Sequence, residues 1–316
     1  MLHTLVRFLV PAAAASVLAS CNSPAEAQDA RSSLTGTVVV VNQLDHDVCL
    51  IDASSGKTVK RVKTGAGPHE AAVSPDGKTV AVTNYGTAPN AEGPGNTLTI
   101  ISLPSGEVKK TVSLGQYTRP HGIAFLDNAR AIVTSETTKN LVIVNLEQEK
   151  VERVIPTDQA GSHMLSLSAD GKTVATANVG SATASIFDVP VGKKLGDVPA
   201  DKGSEGVGIS PDGQWVYTGN RGAHTVSIIS SKDLKNVKNV SAPQLPYRAA
   251  FTPDGKKALV ACPMGGALVV FDASKHTESG RVDFRSGDVK IDSQAPPGPS
   301  GIAVHPNSRY AFCTMV

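Results

Sequence analysis

One turn signature recurs six times along this chain, and it limits the available folds more than any other feature. The copies are Ser74-Pro75-Asp76-Gly77, Leu126-Asp127-Asn128-Ala129, Ser168-Ala169-Asp170-Gly171, Ser210-Pro211-Asp212-Gly213, Thr252-Pro253-Asp254-Gly255 and His305-Pro306-Asn307-Ser308. Their third positions, 76, 128, 170, 212, 254 and 307, are spaced by 52, 42, 42, 42 and 53 residues. A period of 42 with two insertions of about ten residues is a repeat array. Each repeat is a supersecondary unit whose apolar faces only its neighbours can cover, so the units must stack.

Alignment on the turn exposes the unit. A small-apolar strand precedes it, at residues 71–74, 123–126, 165–168, 207–210, 249–252 and 302–305. A second strand follows, at 79–84, 131–136, 174–178, 216–220, 258–262 and 310–314. A third lies at 98–101, 141–144, 184–187, 226–229 and 268–271, and period-two alternation marks a fourth at 108–112, 151–155 and 280–284. Four short strands per repeat, jointed by Gly, Asp and Pro and without helical periodicity, predict an all-β chain folded as a β-propeller. Aromatic residues make up only 4% of the chain, so the packing between sheets rests on Val, Ile, Ala and Leu. Residues 37–42 form a second-type strand with no first strand before it, and 48–51 and 58–62 supply its third and fourth. The alignment therefore predicts seven second strands and six first strands. Seven blades, the last incomplete in this chain, is the expected count, with a six-bladed ring carrying an extra terminal strand as the alternative.

The N-terminus reads differently. Arg7 precedes a mostly apolar run, residues 8–19, which is too short to span a bilayer and has the pattern of a secretory signal. Leu18-Ala19-Ser20-Cys21 resembles a bacterial lipobox, which would make 1–20 the signal peptide and Cys21 the lipidated first residue. Ala25-Glu26-Ala27 offers the alternative, cleavage after Ala27 by an ordinary signal peptidase. Residues 21–33 read as a polar tether and 34–316 as the propeller. The expected location is the periplasm, with a lipid anchor as the sole membrane attachment, or a soluble periplasmic or secreted form under the alternative cleavage. A monomer is expected. With 30 basic and 28 acidic residues and no long basic run, nucleic acid is set aside as a partner. Cys49, Cys262 and Cys313 make no disulfide framework and read as core residues.

Val80-Ala81-Val82-Thr83-Asn84 and Val216-Tyr217-Thr218-Gly219-Asn220 resemble the Tyr-Val-Thr-Asn strand of the YVTN β-propeller family. The run from Pro68 to Gly77 is similar to that family's inner strand and turn. The resemblance covers nearly all of 34–316 and departs at Glu136, Cys262 and Met315, where the family Asn is replaced. It implies a seven-bladed propeller, usually exported in bacteria and similar to the haem-binding propeller of nitrite reductase and to quinoprotein dehydrogenase subunits. Such motifs describe turn and core, and leave function to the site.

The repeat also shows which unusual residues share a position. Seven residues before each third turn position stand His69, His121, His163, Glu205, Tyr247 and Ser300, each preceded by Pro or Ser. In a propeller the first strand lines the central channel, so equivalent residues form a ring at one mouth. His69, His121, His163 and Glu205 are candidate ligands for Zn, Cu or Fe. Imidazole also suits acid/base work beside Glu70, Glu205 or Tyr247. The plainer alternative is a polar position at a solvated loop mouth that tolerates His. Loops expected at the same face carry Asp45-His46-Asp47, Arg221 and His224, and both insertions, 86–96 and 286–299. Arg119, Arg221 and Arg248 add a positive rim suited to a carboxylate or phosphate. His276 and His305 fall at turns of the opposite face and read as surface residues. Three functions stay open: a module binding a small ligand or protein partner at this mouth, a lactonase-like metal-dependent hydrolase, and a redox protein holding copper or haem. No Cys-x-x-Cys-His occurs, so any haem would be non-covalent.

Overall fold

The protein is described by a computed structural model covering residues 10–11, 34–87, 93–286 and 298–315. Apart from residues 10–11, the predicted signal peptide lies outside the described residues, as do Cys21, the tether and most of both insertions. Every element is a strand, and no helix long and apolar enough to cross a membrane occurs among the described residues.

A two-residue strand, β1 (Val10–Pro11), comes first. The first sheet then follows as β2 (Thr37–Asn42), β3 (Asp47–Asp52) and β4 (Thr58–Lys63). Five four-stranded antiparallel sheets come next in chain order. They are β5–β8 (Pro68–Val73, Thr79–Gly86, Pro94–Ser102, Val108–Ser113) and β9–β12 (Pro120–Phe125, Arg130–Ser135, Asn140–Asn145, Lys150–Pro156). The series continues with β13–β16 (Ser162–Leu167, Thr173–Asn178, Thr183–Asp188, Lys193–Pro199) and β17–β20 (Ser204–Ile209, Trp215–Asn220, Thr225–Ser230, Lys235–Ser241). β21–β24 are Arg248–Phe251, Lys257–Cys262, Ala267–Asp272 and Thr277–Asp283. β25 (Pro299–Val304) and β26 (Tyr310–Met315) close the order, and β1 pairs with the edge of β26. The seven second strands and six first strands are those the turn alignment predicts.

The chain divides into two compact units, one of Arg31–Leu165 with Gly192–Lys194, the other of the remaining residues. In the first, the central strands bury both faces. Val80 and Val82 of β6 pack with Val48, Leu50 and Val62 of the preceding sheet. Ala81, between them in sequence, packs with Val133, Val142 and Phe125 of the following one. Successive residues of a strand point to opposite faces, so a strand between two sheets must be apolar at every position. The second unit repeats the pattern around Tyr217, Val260 and Phe271, and around Leu259, Val282 and Met315. Outermost strands have one dry face at most. In β16 only Val198 is fully buried, and β20 has no fully buried residue, which is why alternation in the sequence reveals neither.

The turn signature has a physical basis. In Ser74-Pro75-Asp76-Gly77 the Ser74 hydroxyl donates to Asp76 Oδ1 at 2.7 Å and accepts the Thr79 amide at 3.0 Å, while Asp76 also accepts the Lys78 amide at 3.0 Å. Gly77 takes the left-handed backbone the turn requires, φ 71°. The same bonds recur at Ser168/Asp170, Ser210/Asp212 and Thr252/Asp254. The second copy departs from this length. Leu126 N bonds Arg130 O, four residues on, where Ser74 N bonds Thr79 O, five residues on. This turn is one residue shorter, so the second strand of that sheet is Arg130–Ser135 rather than residues 131–136. Pro120 pairs with Ser135 as Pro68 pairs with Asn84, which corrects the alignment: the family Asn is replaced by Ser135, and Glu136 stands at the next position, level with Tyr85.

Candidate functional site

The predicted ligand position lies within the inner strand, at a β-bulge. Between the pairs Pro68–Asn84 and Ala71–Val82, His69 and Glu70 together face the single residue Thr83. Between Pro120–Ser135 and Ile123–Val133, His121 and Gly122 face Thr134. A bulge frees a backbone amide and re-aims the neighbouring side chain. The Thr of the strand motif satisfies that amide: Glu70 N donates to Thr83 Oγ1 at 3.0 Å, and Gly122 N to Thr134 Oγ1 at 2.8 Å. Each hydroxyl then donates onward to the next inner strand, Thr83 to His121 O at 3.1 Å and Thr134 to His163 O at 2.7 Å. The motif Thr therefore fixes the backbone of each successive His. Gly122 permits the close approach of the next strand, because a Cβ there would lie 2.6 Å from Leu165 N.

These constraints gather the three histidines within the first unit. The His121 ring lies between the other two, with centroids 3.8 Å from His69 and 3.6 Å from His163, while His69 and His163 are 6.3 Å apart. His121 is fully buried, and the His69 and His163 side chains retain 21% and 15% exposure. Glu70 Oε1 lies 3.6 Å from His69 Nδ1. Glu136 bonds His163 Nδ1 with one oxygen and accepts the Tyr85 hydroxyl with the other at 2.5 Å. The Arg119 guanidinium lies over the Tyr85 ring, 4.7 Å from its centroid.

Glu136 is the site residue that alignment on the turn misplaces. Alignment on Val82-Thr83 against Val133-Thr134 places it one residue past the motif, beside Tyr85. Burial raises its pKa, but the hydrogen bond and charge of His163, the Tyr85 hydroxyl and the charge of His69 outweigh that and carry it below the ordinary value. Tyr85 is pushed well up, first by burial and then by the Glu136 carboxylate, so its phenol stays a donor. Two sets of groups converge closely enough to hold a cation, His69-Glu70-His121 and His121-Glu136-His163, with ligand atoms within 4.8 Å of one another in each.

Other predicted site residues have different tasks. In the second unit Glu205 is buried and paired with Arg221 Nη1 at 2.7 Å. It is in neither cation-ready set, and a guanidinium already balances its charge. Arg221 is thereby a partner of Glu205 rather than an open rim charge. Arg248 is buried with its guanidinium 4.4 Å from the Tyr247 ring centroid, so both are packed side chains rather than a solvated rim. His224 takes a left-handed turn position, φ 57°, and accepts the Leu245 amide at 3.2 Å, as His46 accepts that of Gly67 at 2.9 Å. Both are loop fasteners. His276 is half-buried, bonded to the Tyr217 hydroxyl at 2.8 Å and 4.1 Å from the Trp215 ring, which corrects its reading as a surface residue. Cys262 and Cys313 are buried, with thiols pushed up to about 12 by burial, as core residues should be.

A family model described as YNCE-like beta-propeller matches residues 2–144. The solved structure of Kuenenia stuttgartiensis Hydrazine Synthase is similar to this chain with a TM-score of 0.50 and 19% identity, covering 75% of this chain and 92% of that one. The chain is a β-propeller, similar over residues 2–144 to the YNCE-like propellers. At that identity, the likeness of this propeller to the solved structure shows the fold alone. No curated protein matches the propeller's sequence.

Proposed function

We propose that this propeller is an exported transition-metal-binding protein whose site is built from His69, Glu70, His121, Glu136 and His163. The observation that carries the reading is the convergence of three imidazoles and two carboxylates on rigid inner-strand and strand-end positions. Imidazole with carboxylate is a donor set for Zn, Cu, Fe or Ni rather than for hard cations such as Ca or Mg. Partial exposure of His69, Glu70 and His163 leaves a coordination position for an outside ligand, in contrast to a closed structural site. Glu136 behind His163 has the carboxylate–imidazole arrangement that fixes the tautomer and raises the basicity of a ligating His. Imidazoles stacked 3.6 and 3.8 Å apart leave no gap for a porphyrin plane between them, which favours a bare ion over haem.

A hydrolytic role is the second reading, and the Tyr85–Glu136–His163 chain favours it. With a proton on Nδ1 held by Glu136, Nε2 would be the basic nitrogen. Metal analysis tests the first reading. Protein loaded with Zn²⁺ or Cu²⁺ and then desalted retains bound ion, and the His69→Ala, His163→Ala double variant loses it. A wild-type chain that retains no more metal than this variant contradicts the proposal. Hydrolysis of lactones and aryl esters by the loaded wild type, lost in His163→Ala, tests the second.

A further inference from the structure

Resting on the metal-binding reading, we infer that the outer ligand of this site is a small carboxylate, held by Arg119. Two residues before the repeat position of His69, His121 and His163 stand, in the six copies, Gly67, Arg119, Gly161, Gly203, Leu245 and Gly298. The backbone there is left-handed in five of the six, with φ 56° at both Gly67 and Arg119, 65° at Gly161, 77° at Gly203 and 62° at Leu245. This conformation has a use. The carbonyl of Gly67 accepts the Tyr85 amide at 3.0 Å, that of Gly203 the Arg221 amide at 3.0 Å, and that of Arg119 the Glu136 amide at 3.2 Å. Glycine adopts it freely, whereas an L side chain is strained there. A long charged side chain kept at such a place, in the repeat that supplies the central His121, points to a task for the guanidinium.

That guanidinium is held beside the imidazoles. It lies 4.7 Å from the Tyr85 centroid, and the Tyr85 ring is in turn 5.2 Å from the His69 ring and 5.6 Å from that of His121. Stacking on the ring fixes the plane of the fork, and five N–H groups leave it donors to spare for a planar anion. Arg221 is occupied by Glu205, and Arg248 is buried against Tyr247. Arg119, half-buried, enters no ion pair among the described residues. Charge then selects the ligand. The carboxylates of Glu70 and Glu136 together balance one divalent ion, and Arg119 adds a single positive charge beside it. A monocarboxylate matches that one charge and the two-pronged geometry of a guanidinium.

The test uses the full chain loaded with Cu²⁺, whose visible absorption shifts as an outer ligand binds. Acetate is titrated in, and separately the neutral ligand pyridine. Arg119→Gly installs the residue that three left-handed copies of this position already carry, so the variant is expected to fold and to load copper. Its acetate affinity should fall by about 10–100-fold, the usual worth of a charge-assisted hydrogen bond, while its pyridine affinity matches the wild type. A wild type that takes pyridine but no acetate, equal acetate affinities in the two proteins, or acetate and pyridine weakened alike each overturns the role of Arg119 and leaves the metal reading standing. An Arg119→Gly chain that no longer holds copper overturns it too, since the side chain would then serve the fold. A wild type that binds no copper overturns both.

Discussion

Glu136 holds the Tyr85 hydroxyl with one oxygen and the His163 imidazole with the other, so a single side chain sets the orientation of two neighbours. Removing its charge while keeping its shape should therefore act through His163. Glu136→Gln is predicted to weaken metal binding by about 10–100-fold, the usual range for losing a carboxylate that orients or neighbours a ligating His. Calorimetric titration of Zn²⁺ into both proteins checks this, and equal affinities would show that Glu136 takes no part. Gly122→Ala is a packing test. Its added Cβ would meet the Leu165 backbone, and a cost of about 1–3 kcal/mol is predicted from urea unfolding, the range for overpacking a filled site. The three histidines were legible in the sequence because they share one repeat position. Glu136 was not, because a turn shortened by one residue displaces every later position in that repeat, and only the Val-Thr pair keeps the true register.

At the scale of elements, the strand motif explains itself through hydrogen bonds. Its Asn ties two strands of one sheet: Asn84 Nδ2 donates to Thr97 and Thr99 at 2.9 and 3.0 Å, and Asn220 does the same to Thr225 and Ser227. Its Thr caps a bulge and reaches the next inner strand. Thr134→Val keeps the shape but strands the Gly122 amide, at a predicted cost of about 1–3 kcal/mol, the penalty for one buried unsatisfied donor. It should also weaken metal binding, since it releases the His163 backbone. Unfolding and metal titrations on the same variant separate the two effects, and a loss of stability with unchanged affinity would refute the positioning role. A pH test belongs to the first sheet. Asp47 begins β3 and accepts from Asn42 of β2 and Arg61 of β4. Burial raises its pKa, but the bonds from Arg61 and Asn42 and the charges of Arg61 and Lys63 outweigh this and hold it below the ordinary 3.8. Its stabilisation is complete above that ordinary value and fades as pH falls through the lower folded value. Arg61 is half exposed, so the effect is about 1 kcal/mol. The stability gap between wild type and Asp47→Asn should be full at pH 6 and shrink as pH falls below 3.8; a gap that stays constant from pH 6 to pH 2 would contradict the assignment.

Over the whole molecule, the strand order was legible because turns and two-faced apolar strands repeat, whereas the outermost strands β16 and β20 were not, having too little buried surface to pattern them. The fate of Glu205 was equally hidden: only coordinates reveal that Arg221, from the end of the neighbouring strand, already balances it. The proposed export has its own test. If Cys21 carries a lipid, the protein fractionates with membranes and Cys21→Ser releases it to the soluble fraction, while identical fractionation of both excludes the anchor. The metal site is the central claim, and X-ray absorption at the K-edge of zinc bound to the full chain addresses it most directly. The account predicts a shell of nitrogen and oxygen at about 2.0–2.2 Å with the multiple scattering of imidazole rings, lost in the His69→Ala, His163→Ala variant. A sulfur shell at about 2.3 Å, or oxygen alone without imidazole scattering, would contradict it.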